Sequence, residues 1–375
     1  MIRAQLDKPT KTIAEGIDQL HVVTSKPSLF LAALALTTLA PYQIRVSIKA
    51  TCVNYPDLLM LANQYQHQAS FPFVPGLEWA GQITHTGASV QGYKVGDRIM
   101  GTGSGLCSHK TIDTTTTFPL LVPESLTYSQ AAAFWVGFST AYHCLVERGG
   151  LQPGQWILIN GGTGGMGMAA VLLAKQLGAH VVVTGGTNEK LKQVCQCANV
   201  PIHCCINYRQ TPAFSQRVKA CTPNNRGVDM VFDPVGGQVG VEGLKSTSWG
   251  GTILVVGFTG VSESMYQTYA ANYILIKGLT VMGCRAGEYL KRKGRAGTAI
   301  AQARRQTLFE MASKGLVPYV CAEYVMTTTS VRKCFRDLYK RRIMGRAVVV
   351  LGGEEEKQAV VQKHQTEDKV GVSKL

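Results

Sequence analysis

The chain has 375 residues and a mass of 40.5 kDa, room for about two domains and a large core. Hydrophobic residues make up 45% and charged ones 16%, a globular composition that argues against disorder over most of the length. Lys and Arg outnumber Asp and Glu by 38 to 23, giving a net charge of +15. Such an excess fits nucleic acid, an anionic membrane or an anionic small ligand, and does not choose among them.

The most apolar N-terminal run, 29–39, lies between Pro27 and Pro41. It is about a dozen residues long, where a spanning helix needs about 20. Residues 1–20 lack the apolar centre of a secretory signal. Short apolar runs at 44–52, 79–85, 98–102 and 117–122 are separated by turn residues such as Gly87, Gly92, Gly96 and Asp97. They predict an irregular, mostly β domain.

Near residue 125 the pattern changes. The stretch 129–147 has helical composition, and strands and helices then alternate. Strands are expected at 156–159, 180–183, 228–232, 252–256 and 279–283, with helices at 166–177 and 188–197. This alternation predicts a parallel sheet covered on both faces. A basic helical stretch follows, and a strand at 347–351 closes the fold.

The eleven cysteines are odd in number and irregularly spaced, with no CxxC. They read as free thiols in a reducing compartment, against a disulfide framework. Cys195 with Cys197, and Cys204 with Cys205, stand too close together for a metal quartet. The chain ends Ser373-Lys374-Leu375, after an acidic, polar tail that starts at Glu354. That tripeptide is the address read by the peroxisomal import receptor, so import is expected, with a cytoplasmic protein as the alternative.

The sharpest local motif is Asn160-Gly161-Gly162-Thr163-Gly164-Gly165-Met166-Gly167. Gly162, Gly164 and Gly167 fit GxGxxG, after a strand and before an apolar helix, the context in which the pattern marks a dinucleotide site. Side chains at Gly162 or Gly164 would block the turn or the approach of a pyrophosphate, and Gly167 lets the helix pack on the strand. The helix N-terminus offers N–H groups and a favourable dipole to the anion. NAD sites carry an acid about 20 residues on, to bind the ribose hydroxyls. Here the second strand ends Thr184-Gly185-Gly186-Thr187, and the first acid is Glu189. A carboxylate would repel a 2′-phosphate, so its absence favours NADP, with Lys190 placed to pair with that phosphate.

Val53-Asn54-Tyr55-Pro56-Asp57, Phe73-Val74-Pro75-Gly76, Val95-Gly96-Asp97-Arg98, Thr140-Ala141-Tyr142, Gly227-Val228-Asp229, Asp233-Pro234-Val235-Gly236-Gly237 and Val255-Val256-Gly257-Phe258 follow one another in order. In these motifs the chain resembles the zinc-independent quinone oxidoreductases of the medium-chain dehydrogenase/reductase superfamily, over about residues 45–352. The resemblance implies an α/β fold: a GroES-like catalytic β domain from 1–134 and 285–353, interrupted by a Rossmann domain with a doubly wound parallel sheet at 135–284. Residues 354–375 would be a flexible tail. It also implies an active-site cleft where the two domains meet, and a homodimer.

The zinc-dependent branch uses a Cys, the His of a Gly-His-Glu triplet and a second Cys. Here Asn54 replaces the first Cys and Leu77 the His, and the four-cysteine lobe is missing, so no metal is expected. The resemblance places Tyr65, Asn54 and Asp57 at the catalytic end, with Tyr65 bonding the carbonyl or giving it a proton. For the cofactor it implies Gly164, Gly165 and Met166 at the pyrophosphate, and Lys190 and Tyr208 at the adenosine 2′-phosphate, with Gly186 also counted among the cofactor-binding residues. Backbone of Val256, Gly257 and Phe258 would meet the nicotinamide, with Asn272 and Arg346 nearby.

Leu59 stands where some quinone reductases face the substrate with an aromatic residue. Trp135 is bulky where relatives have Pro, so the pocket would differ from theirs. The implied function is NADPH-dependent reduction of quinones or α,β-unsaturated carbonyl compounds by hydride transfer. One alternative is an enoyl-thioester reductase of peroxisomal fatty-acid metabolism. Another is a non-catalytic, crystallin-like protein binding NADPH or RNA. The basic runs Lys291-Arg292-Lys293-Gly294-Arg295, Arg304-Arg305 and Lys340-Arg341-Arg342 are the only support for RNA and read as solvated helix faces.

Overall fold

A computed structural model describes residues 1–24, 38–66, 68–260 and 268–351. The proposed import tripeptide and the tail before it lie outside the described residues. The chain forms two compact units, Met1–Trp135 with the segment from Val320 onward, and Val136–Tyr319.

The first unit opens with elements that the sequence pattern did not reveal. Strand β1 (Ile2–Gln5) pairs antiparallel with β2 (His21–Thr24), around the short helix Ile13–Gln19. The Thr12 hydroxyl accepts from the Glu15 N–H and caps that helix. Ala4, Leu6, Ile17 and Leu20 are at most 1% exposed and join a core with Val53, Leu58 and Phe335. The chain continues through β3 (Gln43–Val53), the helix Tyr55–Leu61, β4 (Glu78–Thr86), β5 (Arg98–Thr102), β6 (His109–Asp113) and β7 (Leu120–Leu121). The strand expected over 117–122 shrinks to those last two residues. Its start is drawn into a turn, where Thr115 N and Thr115 Oγ1 donate to Asp113 Oδ1 and Thr117 N to the Asp113 carbonyl.

The second unit carries β8 (Trp156–Ile159), β9 (His180–Gly185), β10 (Cys205–Asn207), β11 (Val228–Asp233), β12 (Thr247–Val255) and β13 (Thr280–Gly283). They form a parallel sheet in the order β10-β9-β8-β11-β12-β13. Ile157, Leu158, Ile159, Val231, Phe232, Ile253 and Leu254 are all fully buried, as strands with both faces covered require. The order reverses between β8 and β11, the switch point at which such sheets bind ligands. The chain returns to the first unit through β14 (Val320–Val325) and β15 (Arg346–Val350), giving a second sheet ordered β14-β15-β3-β4-β5-β7, with β6 also paired to β3.

That return comes at Val320, later than the expected 285. Helices Ala286–Arg292 and Gly294–Ser313 stay with the second unit. One reason is Arg304, read from sequence as part of a solvated basic run. It is 1% exposed and forks onto Glu147, with Nε and Nη2 at 2.8 and 2.7 Å from its oxygens. Its Nη1 donates to Ser139 Oγ at 3.0 Å. Glu147 lies in the π-helical turn His143–Arg148, and its other neighbour is His143 Nδ1 at 2.8 Å. One exposed patch of this unit is apolar: Trp249, Leu275 and Ile276 are 81, 82 and 72% exposed, near the edge strand β13.

Removing one partner of a buried ion pair leaves the other charge without compensation. Arg304→Ala is therefore expected to destabilise the second unit by about 3 kcal/mol or more. The double variant Arg304→Met/Glu147→Leu should recover much of that loss, as read by urea unfolding.

Candidate active site

The glycine turn leaves β8 at Asn160, and the helix Gly165–Gln176 starts from it with Gly164 as its N-cap. Not all its glycines serve the same end. A Cβ on Gly162 would lie 2.3 Å from Val183 Cγ1, and one on Gly167 would lie 2.2 Å from the Gly161 carbonyl oxygen. Those two positions are closed by the protein itself. A Cβ on Gly164 would meet only the Gly161 oxygen, at an ordinary 3.5 Å, and its φ of −87° suits any residue. Packing does not require glycine there. The space it leaves faces the first N–H groups of the helix, at Gly165 and Met166, which have no intrahelical acceptor.

Beneath the turn lies a buried polar chain. Asn160 is fully buried, and its Oδ1 accepts from Thr184 Oγ1 at 3.0 Å. Its Nδ2 donates to Asp233 Oδ1 at 3.3 Å and to the Val239 carbonyl at 3.4 Å. Asp233 also accepts from the N–H groups of Val235 and Gly236, and its carboxyl is raised above the usual range, because burial outweighs these bonds. Val256 N–H donates to the Asp233 carbonyl at 2.9 Å, which seats Val256, Gly257 and the exposed Phe258 at the same end of the sheet. Asn272 stands exposed near the start of the helix Ala271–Lys277.

At the end of β9 the structure brings Gly186 and Tyr208 together, with Arg209. A Cβ on Gly186 would stand 3.1 Å from Tyr208 Oη and 3.3 Å from Arg209 Nε. Tyr208 N–H donates to the Gly185 carbonyl, and Asn207 ties the two segments together through Asn188 at 2.8 Å. Lys190, half-buried, lies in the first turn of the adjoining helix Asn188–Ala198. Arg209 is the cation that sequence reasoning passed over. It belongs to a three-residue strand and its exit, too short for any periodic signal.

The first unit holds Asn54, Asp57, Glu78 and Arg346 in one buried cluster. Arg346 Nη1 donates to Asn54 Oδ1, Asn54 Nδ2 donates to Glu78 Oε2 at 3.1 Å, and Arg346 Nη2 lies 3.7 Å from the same Glu78 oxygen. Asp57 accepts from the backbone N–H groups of Asn54, Gly76 and Leu77 at 2.8, 2.8 and 3.2 Å. Two expected catalytic residues therefore have other work. The Asn54 amide is engaged at both ends, and Asp57 caps the helix Tyr55–Leu61 and anchors the Gly76–Leu77 loop. Arg346, expected among the cofactor residues, is 6% exposed and keeps one buried donor, Nη2, with no hydrogen-bond acceptor among the described residues. Tyr65 and Leu59 are half-buried, as is Trp135 at the start of the helix Trp135–Tyr142.

Zinc does not fit the residues present. Asn54 and Leu77 stand where the donors would be, and the Asn54 amide is already committed. Among the described residues no group of three or more His, Cys, Asp or Glu is placed to hold a metal ion.

Comparison with known proteins matches residues 40–149 to the alcohol dehydrogenase GroES-like domain and residues 165–302 to the zinc-binding dehydrogenase domain. The chain is 31% identical over 252 residues to quinone oxidoreductase-like protein 2 of Bos taurus, covering 66% of this chain and 69% of that one. It is 28% identical over 328 residues to the Mus musculus protein of the same name, covering 87% and 90%. Among solved structures, Escherichia coli quinone oxidoreductase complexed with NADPH superposes with a TM-score of 0.75 at 23% identity, covering 93% of this chain and 100% of that one.

Burial pushes the Asp57 carboxyl from 3.8 up to about 6, against the pull of its three N–H partners. The folded chain thus keeps a proton that the unfolded chain releases between those values. Stability from this group is full below the lower value and lost as pH rises through about 6. Asp57→Asn lacks that dependence. The stability gap between wild type and variant is expected to narrow as pH rises from about 4.5 to about 8, read from paired unfolding midpoints; a gap that widens contradicts the assignment.

Proposed function

The chain belongs to the quinone oxidoreductase-like family of medium-chain dehydrogenase/reductases, and from that premise we propose that it is an NADPH-dependent, zinc-independent reductase of quinones or α,β-unsaturated carbonyl compounds. The observation that carries the cofactor assignment is the meeting of Tyr208 and Arg209 at Gly186, beside the helix of Lys190, with no carboxylate between Thr184 and Asn188. Two cations and a phenol suit a 2′-phosphate better than the hydroxyls of NAD.

NADPH, when bound, supplies the hydride. The N–H groups at Gly165 and Met166 would hold its pyrophosphate in the space left by Gly164. Backbone of Val256, Gly257 and Phe258 would hold the nicotinamide amide. Arg346 Nη2, ion-paired with Glu78 but without a hydrogen-bond acceptor among the described residues, supports an acceptor brought from outside the chain, since a buried donor without a hydrogen bond costs about 1–3 kcal/mol.

Hydride addition to a conjugated carbonyl builds charge on oxygen. A hydrogen bond and a proton from Tyr65 answer it without a metal. Leu59 and Trp135 shape the substrate end. The same reading makes the protein a homodimer joined through its second unit. There β13 ends the parallel sheet, and Trp249, Leu275 and Ile276 offer apolar surface.

The test is NADPH oxidation with a panel of quinones, alkenals and enoyl thioesters; a protein that oxidises NADPH with none of them is not this enzyme. Lys190→Ala and Arg209→Ala should each raise the KM for NADPH about tenfold or more with little change for NADH, and equal effects would remove the 2′-phosphate assignment. Tyr65→Phe should lower kcat with the NADPH KM retained. Sedimentation at micromolar concentration should give a dimer, and a monomer there overturns the interface.

A further inference from the structure

The second unit concentrates thiols at one place that the proposed reaction does not use. Cys195 and Cys197 lie on the helix Asn188–Ala198, Cys204 precedes β10, Cys205 begins it, and Cys221 follows the helix Ser215–Ala220. They divide into two pairs. Cys195 Sγ and Cys205 Sγ are 2.7 Å apart, and Cys204 and Cys221 lie close enough that each shifts the other's titration, Cys204 upward and Cys221 downward. The arrangement is not a chelate, since among the described residues no such group is placed to hold a metal. None of these cysteines is joined in a disulfide, and Cys195 and Cys205 are both half-buried, within reach of a small oxidant.

We propose that Cys195 and Cys205 form a reversible, redox-active dithiol that locks the adenosine-phosphate end of the cofactor site. A peroxide is the oxidant. One thiolate attacks the O–O bond, which breaks to give a sulfenic acid and release water. The second thiol then displaces the hydroxyl as a second water, and the S–S bond forms. In balance, two thiols and one hydrogen peroxide give one disulfide and two waters.

The geometry suits this step. A disulfide requires about 2.05 Å between the sulfurs, so this pair has to close by only about 0.7 Å. The bond would join the two segments that carry the phosphate grip. Cys195 is on the same helix as Lys190, and Cys205 is on the strand that leads directly into Tyr208 and Arg209. Because the closure is so small, the crosslink fixes the observed placement of these residues and does not pull them apart. Oxidation should therefore tighten binding of 2′-phosphorylated nucleotides. Linkage then requires NADPH to favour the disulfide in turn. This consequence rests on the NADPH reading above, whereas the crosslink itself does not.

The test uses full-length protein with Cys197, Cys204 and Cys221 changed to Ser, alongside wild type. Trypsin leaves the segment 193–209 whole, because it contains no Lys or Arg before Arg209. Hydrogen peroxide should remove two hydrogens from that peptide, and dithiothreitol should restore them. Adding Cys195→Ser should abolish the loss. The oxidised protein should bind NADPH about three- to tenfold more tightly than the reduced one, with NADH unchanged.

A peptide that gains oxygen but forms no crosslink overturns the dithiol, as does a wild-type crosslink confined to Cys204 and Cys221. A crosslink that leaves NADPH binding unchanged or weaker overturns the lock. If the reduced protein fails to bind NADPH at all, the cofactor reading falls, while the peptide mass still judges the dithiol.

Discussion

The second unit depends on a single amide. Asn160 ends β8, accepts from a residue of β9, and donates to the end of β11 and to the helix after it. It thereby fixes three loops at the carboxyl end of the sheet relative to one another. An amide can do this because it is donor and acceptor at once, and because its burial makes each unmade bond costly. Every candidate cofactor residue of this unit except Asn272 lies on a loop or helix that starts from one of those strand ends or from their neighbours. The glycine turn can be thin because its foundation is polar, buried and hydrogen-bonded.

The first unit handles buried polarity differently. Where the zinc-dependent branch of the superfamily has metal donors, this chain has Asn54, Leu77 and the ion pair of Glu78 with Arg346. A carboxylate and a guanidinium facing each other in a low-dielectric setting need further hydrogen bonds to offset desolvation. Asn54 supplies one to each. Asp57 carries a charge against burial by gathering three backbone N–H groups, and in doing so it fixes the loop that holds Leu77. A set of positions that elsewhere holds an ion has here become a scaffold of internal bonds, with one arginine donor left over.

Much of this was legible from the residues. The central strands β8, β9, β11 and β12 are apolar runs between turn signals, and burial on both faces makes such runs conspicuous. The glycine turn was legible for the same reason: tight packing and anion approach both exclude side chains. Three things were hidden. The N-terminal β1–helix–β2 element draws its stability from contacts with residues such as Phe335, more than 300 positions away, which no local window contains. Arg304 looked solvated because its partners Glu147 and Ser139 lie far back in the chain. Asn54 and Asp57 were recognised as special positions, but residue type alone does not tell a group that touches a substrate from one that holds a loop. Only the hydrogen-bond partners make that distinction.

Gly164 differs from the other glycines of its turn in a way that separates two demands on the chain. Its neighbours at 162 and 167 are held to glycine by the fold, so any change there is felt as lost stability. At 164 contact alone does not demand glycine: a methyl group would meet only the Gly161 oxygen, at ordinary distance. Glycine there still serves the fold as the N-cap of the helix, where alanine is a poorer cap. A change to alanine at 164 is therefore felt twice, as a modest loss of helix capping and as a side chain in the space above the turn, whereas changes at 162 and 167 are felt as packing.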